Sequence, residues 1–150
     1  MVKRDFSDRF GFLVHEVGRL HGRLFDQLAR QQLGLSRAQC RLLGVVASFP
    51  ADRSPSQAEL AERLDLTPMG VASLCDRMEA AGWIRRQAST EDRRVNRIEL
   101  QPKANEALEA ALAIGDELQA RSLAGLSGVE RRQLLALLRR AQANLSEGTA

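Results

Sequence analysis

The densest cluster of anion-binding side chains lies between residues 85 and 97. It contains five arginines and two acids, namely Arg85, Arg86, Arg93, Arg94, Arg97, Glu91 and Asp92. A guanidinium group can bind a phosphate through two parallel hydrogen bonds, or enter a narrow minor groove of DNA where the potential is strongly negative. The local surplus of three positive charges equals the +3 of the whole chain, so we interpret this segment as a nucleic-acid contact. The alternative interpretation is a charged loop that only faces solvent.

A second candidate surface is the outer face of a helix expected over residues 67–81. Its inner stripe holds Thr67, Val71, Leu74, Cys75 and Met78, and its opposite side holds Met69, Ala72, Ser73, Asp76 and Ala80. An α-helix fits the major groove of DNA, which is roughly 12 Å wide, and its exposed side chains then reach base edges. The sequence therefore places a helix able to read bases directly before the arginine-rich segment.

The sequence lacks the motifs of common enzyme and metal sites. There is no G-x-S-x-G motif, no glycine-rich phosphate loop, no histidine or acid cluster with metal-ligand spacing, and no tyrosine. His15 and His21 stand six residues apart and fall on different faces of a helix. We therefore expect a protein that is not an enzyme and that holds neither a metal ion nor another cofactor.

Composition and cysteine usage indicate a globular protein of the cytoplasm. Of the 150 residues 44% are apolar and 27% are charged, which suits a compact fold. Cys40 and Cys75 lie too far apart in sequence for a zinc ribbon or a disulfide framework. No apolar stretch approaches the ~20 residues of a membrane-spanning helix, and charges interrupt the N-terminal segment where a signal peptide needs apolar residues.

Six helices and one hairpin are expected to position the two candidate surfaces. A long amphipathic helix runs from Phe6 to Gly34. Capping boxes begin three further helices at Ser36 with Gln39, Ser56 with Glu59 and Ser127 with Glu130. Thr67 and Pro68 begin the helix over 67–81, strands follow over 83–87 and 95–100, and Pro102 opens another helix. The fold class is thus mainly α with a small β wing: a winged helix-turn-helix with added N- and C-terminal helices.

Three segments resemble the MarR family of winged-helix transcriptional regulators. They are Ala58-Glu59-Leu60-Ala61, Asp76-Arg77-Met78-Glu79-Ala80-Ala81-Gly82-Trp83-Ile84-Arg85-Arg86 and Asp92-Arg93-Arg94. Arg85-Arg86-Gln87, Arg97-Ile98 and Lys103-Ala104 are similar to the SlyA-like branch of that family. The resemblance is close from about Ser36 to Ala104.

The resemblance implies a homodimeric, sequence-specific regulator of transcription, with repression the expected outcome. Residues 1–35 would form an N-terminal dimerisation helix, 36–101 the winged helix-turn-helix, and 102–150 the C-terminal dimerisation helices. The partners would be a second copy of the chain and double-stranded DNA with a pseudo-palindromic operator. The helix 67–81 would lie in the major groove and the 85–97 wing on the minor groove and phosphates.

The same resemblance implies which residues contact DNA. The recognition helix would supply Pro68, Met69, Ala72, Ser73 and Arg77, and the wing tip would supply Arg93 and Arg94. Asp92 would support the wing by pairing with arginine. The chain departs from the family where many relatives have a base-reading arginine midway along this helix, since Ser73 stands there, and where Gly70 replaces a larger residue. We therefore expect few base hydrogen bonds and a larger share for wing contacts and DNA deformability.

Many relatives release DNA when a small aromatic or lipophilic acid binds. The residues expected to line such an effector pocket are Phe12, His15, Arg19 and Phe49. An alternative is a redox-responsive regulator acting through Cys40, which has Arg37 and Arg41 nearby in sequence. A further alternative is a winged-helix adaptor that binds protein and has no affinity for DNA.

Overall fold

The computed structural model describes residues 4–147, which contain six α-helices and one two-stranded antiparallel sheet. The elements are α1 (Phe10–Leu33), α2 (Arg37–Ala47), α3 (Gln57–Leu64), α4 (Pro68–Ala80), β1 (Ile84–Ala88), β2 (Asn96–Leu100), α5 (Lys103–Ser122) and α6 (Gly128–Glu147). They confirm the predicted fold class. The described chain divides into two compact units, residues 4–116 and residues 117–147.

The first helix begins four residues later than predicted. Its N-cap, Arg9, makes no side-chain capping bond, and the Arg9 amide donates to the carbonyl of Phe6 in a turn. In that turn the Ser7 amide donates to Asp5 Oδ1 at 2.9 Å. Local side-chain bonding of this kind competes with helix formation, so Phe6 lies before α1. The predicted end is confirmed, because Gly34 adopts the left-handed conformation (φ 68°) that glycine accommodates without strain.

All three predicted capping boxes are present. Ser36 Oγ accepts from the amide of Gln39, whose side chain accepts from the Ser36 amide. Ser56 and Glu59 make the same reciprocal pair at the start of α3. Ser127 and Glu130 repeat it before α6 in the second unit. Each box satisfies two amides that the first turn leaves without helical acceptors.

The core of the first unit lies among α2, α3, α4 and the sheet. The side chains of Leu42, Leu43, Leu60, Val71, Met78, Ile84 and Ile98 are all at most 2% exposed. Buried residues recur at three- and four-residue spacing on α3 (Leu60, Leu64) and on α4 (Val71, Leu74, Met78), as amphipathic packing requires. Burial of such side chains contributes about 1.5–3 kcal/mol each, so this core positions α4 against the sheet.

The turn between α3 and α4 depends on Asp65 and Thr67. Asp65 ends α3 with a left-handed backbone (φ 53°), a conformation that Asp tolerates better than most residues. Thr67 then caps α4 by accepting from the amide of Gly70 at 3.0 Å. A Cβ on Gly70 would stand 3.1 Å from Thr67 Oγ1, so the small residue suits the tight cap.

The sheet pairs Ile84 with Leu100 and Ala88 with Asn96 in a continuous antiparallel register. Each strand begins one residue later than predicted. Arg97 forms an isolated bridge with Ser56, and the Ile98 amide donates to the Pro55 carbonyl at 2.9 Å. The middle of β2 is therefore tied to the segment that begins α3.

In the second unit, α6 has no buried residue. Its leucines Leu135, Leu137, Leu138 and Leu145 are all at least 38% exposed. No helix within residues 4–147 combines the length and apolarity needed to cross a lipid bilayer.

Candidate nucleic-acid interface

The helix α4 presents its polar face and Met69 to solvent. Val71, Leu74 and Met78 point into the core and are at most 3% exposed. Met69 on the other side is 82% exposed. Thr67 was assigned to the inner stripe, but its side chain is exposed and caps the helix instead. The remaining predicted contact residues of α4 are Pro68, Ser73 and Arg77, which are exposed, and Ala72, which is half-buried.

Two of these residues interact on the exposed face. The Arg77 guanidinium donates through Nη1 to Ser73 Oγ at 3.4 Å. Ser and Arg four residues apart lie one above the other on a helix. The Arg77 guanidinium is bonded to no carboxylate of residues 4–147, so its charge is available to a phosphate or a base.

The wing tip is a compact turn between β1 and β2. The Ser89 amide donates to the Val95 carbonyl at 2.8 Å, and the Val95 amide donates to the Asp92 carbonyl at 3.0 Å. These bonds close the loop around its arginines. They bring the backbone from Asp92 to Val95 into a fixed turn.

Asp92 contacts Arg94 within that turn. Its Oδ1 accepts from the Arg94 amide at 3.0 Å and from Arg94 Nε at 3.3 Å. The Arg94 side chain is nevertheless 92% exposed, because the carboxylate engages only the base of the guanidinium. Arg93 is exposed and makes no ion pair with any described residue. The tip thus directs two cations outward.

The other three arginines of the cluster are held by the protein itself, which corrects the interpretation of all five as one protruding basic segment. Arg85 pairs with Glu99 across the sheet at 2.7 Å. Arg97 Nη1 donates to the Ser54 carbonyl at 3.3 Å and pairs with Glu59 at 3.4 Å. The acids that neutralise these arginines lie outside residues 85–97, so a local charge count overestimates the positive surface.

The third, Arg86, joins the wing to the recognition helix. Its Nη2 lies 2.7 Å from Asp76 Oδ1 and 2.7 Å from Glu79 Oε2, while its amide donates to Glu79 Oε1 at 2.8 Å. Its Nη1 reaches Gln57 Oε1 on α3 at 3.5 Å. The Arg86 amide and guanidinium lower the pKa of Glu79, and the bond to Glu79 raises the pKa of Arg86. Both groups are therefore charged at neutral pH.

Sequence reasoning missed this Asp76, Glu79 and Arg86 cluster as a unit. The available signal was the spacing of Asp76 and Glu79, which places two acids on one side of α4 just before an arginine-rich strand. Glu59 was recognised only as a capping residue. It also binds Arg53 and Arg97, and bonding to the Ser56 amide is the largest cause of its lowered pKa.

The four residues expected to form an effector pocket do not line one cavity in this structure. Phe12 and His15 are exposed on α1, and Arg19 is bonded to Glu16 at 2.8 Å. Phe49 instead lies under two guanidinium groups, with Arg63 4.4 Å and Arg53 5.3 Å from its ring centre. It lines a cleft of about 310 Å³ together with residues of the 46–55 segment and of β2.

Both cysteines are buried and free. Burial raises the pKa of the Cys40 thiol, and nearby Asp26 raises it further. Burial also raises the pKa of the Cys75 thiol to about 11. Thiolate formation is therefore disfavoured at both positions, which opposes redox sensing through Cys40.

The model of the MarR family matches residues 33–95 of this chain. A solved structure described as the transcriptional regulator PA3341 is 33% identical, with 92% of this chain and 98% of that one covered and a TM-score of 0.76. The MepR–DNA complex of S. aureus is 24% identical, with coverage of 90% and 97% and a TM-score of 0.76. The reduced form of MarR from E. coli is 23% identical, with coverage of 88% and 95% and a TM-score of 0.78. With residues 33–95 matched by the family model and 92% of its length aligned to a transcriptional regulator at 33% identity, the chain belongs to the MarR family.

Proposed function

We propose that this protein is a homodimeric transcriptional regulator that binds double-stranded DNA sequence-specifically and represses transcription. The helix over 67–81 enters the major groove, and the 85–97 wing lies on the minor groove and the phosphates. The protein acts in the cytoplasm by binding rather than by catalysis. Its similarity to solved transcriptional regulators supports this role, and so does the fold it shares with MepR, which was solved in complex with DNA.

One observation carries the proposal: three arginines whose terminal nitrogens pair with no carboxylate of the described residues lie on the two elements that a winged helix uses to bind DNA. Arg77 lies on the exposed face of α4, and Arg93 and Arg94 lie at the wing tip. Pro68, Met69, Ala72 and Ser73 complete the proposed contact surface, and Asp92 supports Arg94. An adaptor that binds protein would not need a wing tip with two outward guanidinium groups.

The dimer is proposed from the N-terminal and C-terminal helices. The first helix exposes large apolar side chains on one side, namely Phe10, Leu13, Val14, Val17 and Leu20, and Phe12 is exposed on the opposite side. Contiguous exposed apolar surface of this kind marks a protein interface. We assign residues 1–35 and 102–150 to dimerisation and residues 36–101 to DNA binding. The residues Arg85-Arg86-Gln87 and Lys103-Ala104 support placement in the SlyA-like branch.

Regulation by a small aromatic or lipophilic acid remains part of the proposal. Phe49 with the Arg63 guanidinium over its ring offers an aromatic surface and positive charge beside an open cleft, which suits an aromatic carboxylate. Phe12, His15 and Arg19 on α1 stay candidates for a second contact region. Binding of a small aromatic carboxylate, measured by calorimetry on the wild type and on Phe49→Ala, tests this assignment.

The decisive test of DNA binding is a salt titration on operator fragments selected from genomic DNA. The logarithm of the affinity should fall steeply with the logarithm of the salt concentration, with a slope of about 0.9 per contacted phosphate. The Arg93→Gln/Arg94→Gln variant lacks four wing-tip cations per dimer. The slope of its log affinity against log salt should therefore be smaller in magnitude by about 3.6. Arg4→Gln, an exposed arginine outside both elements, is the matched control and should change the slope little. A flat slope for the wild type would favour the adaptor and overturn the proposal.

A further inference from the structure

The exposed face of α4 is apolar at its N-terminal end and polar in its middle. Met69, in the first turn, is 82% exposed, the largest exposed fraction among the large apolar side chains of the described residues. Leu66, just before the helix, is 40% exposed, and Pro68 between them is exposed. The hydrogen-bonding pair Ser73 and Arg77 follows one and two turns later. The most exposed side chain near the N-terminus of α4 is therefore an apolar one, Met69.

Met69 has no role in the packing of the chain. The core positions of the same helix are filled by Val71, Leu74 and Met78, and Met78 is fully buried. The two methionines of α4 therefore differ in role, one as a core residue and the other in solvent. A flexible thioether side chain in solvent has apolar surface that a partner can cover, and methionine adapts readily to an irregular apolar surface.

The N-terminal residues of a recognition helix are those that contact base edges in the major groove. In that groove thymine alone among the four bases presents a methyl group. An apolar side chain at this position therefore distinguishes thymine from the remaining bases. Proline has no amide hydrogen to donate, so Pro68 adds another apolar surface beside Met69.

We infer that Met69 is a specificity-determining residue that reads the C5-methyl group of a thymine in each operator half-site. The inference rests on the proposed function, because it assumes that α4 enters the major groove. The exposed face of α4 has few side chains that can form hydrogen bonds to bases. Packing of Met69 against the thymine methyl group would add a direct base contact there. Ser73 and Arg77, which lie further towards the C-terminus of α4, then contact neighbouring base pairs or phosphates.

The test replaces operator thymines one at a time with deoxyuridine, which removes the methyl group and keeps every hydrogen-bonding group. The wild type should lose about fourfold in affinity for one substituted half-site and about fifteenfold for both, the loss expected for one methyl contact per site. The sensitive thymine should occupy one symmetry-related position in each half-site.

Variants of Met69 separate this contact from the rest of the interface. Met69→Ala should bind the natural operator about as weakly as the wild type binds the deoxyuridine operator, and it should not distinguish thymine from uracil. Met69→Leu, which keeps an apolar side chain of similar size, should retain the discrimination. Ser73→Ala is the matched control on the same face and should keep full sensitivity to the methyl group. Thermal unfolding should confirm that these exposed substitutions leave the fold intact.

Two results would overturn the inference while leaving DNA binding established. One is equal wild-type affinity for thymine and uracil at every operator position. The other is undiminished methyl sensitivity in Met69→Ala. A protein that retains no DNA fragment at all would instead contradict the proposed function, so the two failures are distinguishable.

Discussion

At the scale of single residues, side chains with similar sequence settings have different roles. Asp92 bonds the backbone and the base of Arg94, and the arginine still presents its charge to solvent. Thr67 belongs by spacing to the inner stripe of α4, yet its hydroxyl is used for the Gly70 amide. A capping bond of this type contributes about 1 kcal/mol, which explains why the hydroxyl lies at the helix start rather than in the core.

The thiols give a prediction at this scale. A pKa of about 11 for Cys75 instead of 9.0 lowers its thiolate fraction at pH 8 about a hundredfold. We expect an aromatic disulfide reagent to modify Cys75 in the native protein at least about a hundredfold more slowly than in the denatured protein. Cys40, whose thiol pKa is also raised by burial, should likewise react more slowly in the native protein. Rapid labelling of either thiol in the native protein would contradict the buried assignment.

The same pKa predicts a dependence of stability on pH. The folded protein holds the Cys75 proton more tightly than the unfolded chain, so this contribution to stability is complete below pH 9.0 and is lost as pH rises towards about 11. Urea unfolding of the wild type and of Cys75→Ser at pH 8 and pH 10.5 measures it. The free energy of unfolding of Cys75→Ser should fall less between pH 8 and pH 10.5 than that of the wild type, because the variant has no thiol to ionise at this position.

At the scale of elements, Arg86 connects the wing to the recognition helix α4. Charged hydrogen bonds link its guanidinium on β1 to Asp76 and Glu79 on α4. The Glu59 carboxylate on α3 similarly binds Arg97 on β2. Each strand of the hairpin is thus connected to one helix of the helix-turn-helix, which fixes where the wing tip stands relative to α4.

Substitution of Arg86 tests that connection. Arg86→Gln should lower the free energy of unfolding by about 1–2 kcal/mol, a modest value because Asp76 and Glu79 are partly exposed. DNA affinity should fall because the wing is less well positioned. The slope of affinity against salt should stay that of the wild type, since this arginine neutralises carboxylates and not phosphates. A reduced slope would show that Arg86 contacts DNA directly.

At the scale of the whole molecule, the proposed dimerisation would turn one winged helix into an operator-binding protein. A pseudo-palindromic operator presents two half-sites about 34–36 Å apart, and one chain can occupy only one of them. The apolar residues of α1 are exposed in the single chain, so a second copy is the partner that would cover them.

Charges placed in that apolar row should separate the subunits. Leu13→Glu/Val17→Glu buries two carboxylates in the proposed interface and should shift the mass in sedimentation experiments from twice 16.6 kDa to 16.6 kDa. Operator affinity should fall by at least about a hundredfold, because the second half-site no longer binds to the same molecule. Gln27→Glu, an exposed polar position on the same helix, serves as the control. A wild type that sediments as a monomer would contradict the dimer.

Much of the secondary structure could be read from local signals. The capping boxes at Ser36, Ser56 and Ser127, the left-handed Gly34 and the stripe that ends in Met78 act through neighbours within four residues. The start of α1 was placed too early because the turn from Phe6 to Arg9 competes with a helix through its own short-range bonds. Helix ends with no capping side chain carry little signal in sequence.

The amino-acid sequence alone determined the order of the elements, the fold class and the family resemblance, because caps, periodicity and family motifs are local properties. Only the tertiary structure decided which arginines remain available to DNA. Arg85 reaches the Glu99 carboxylate across 14 residues of chain, and Arg97 reaches the Glu59 carboxylate across 38. A guanidinium is neutralised only when tertiary packing brings a carboxylate next to it. The number of residues between the two along the chain does not predict how close they lie in the folded protein.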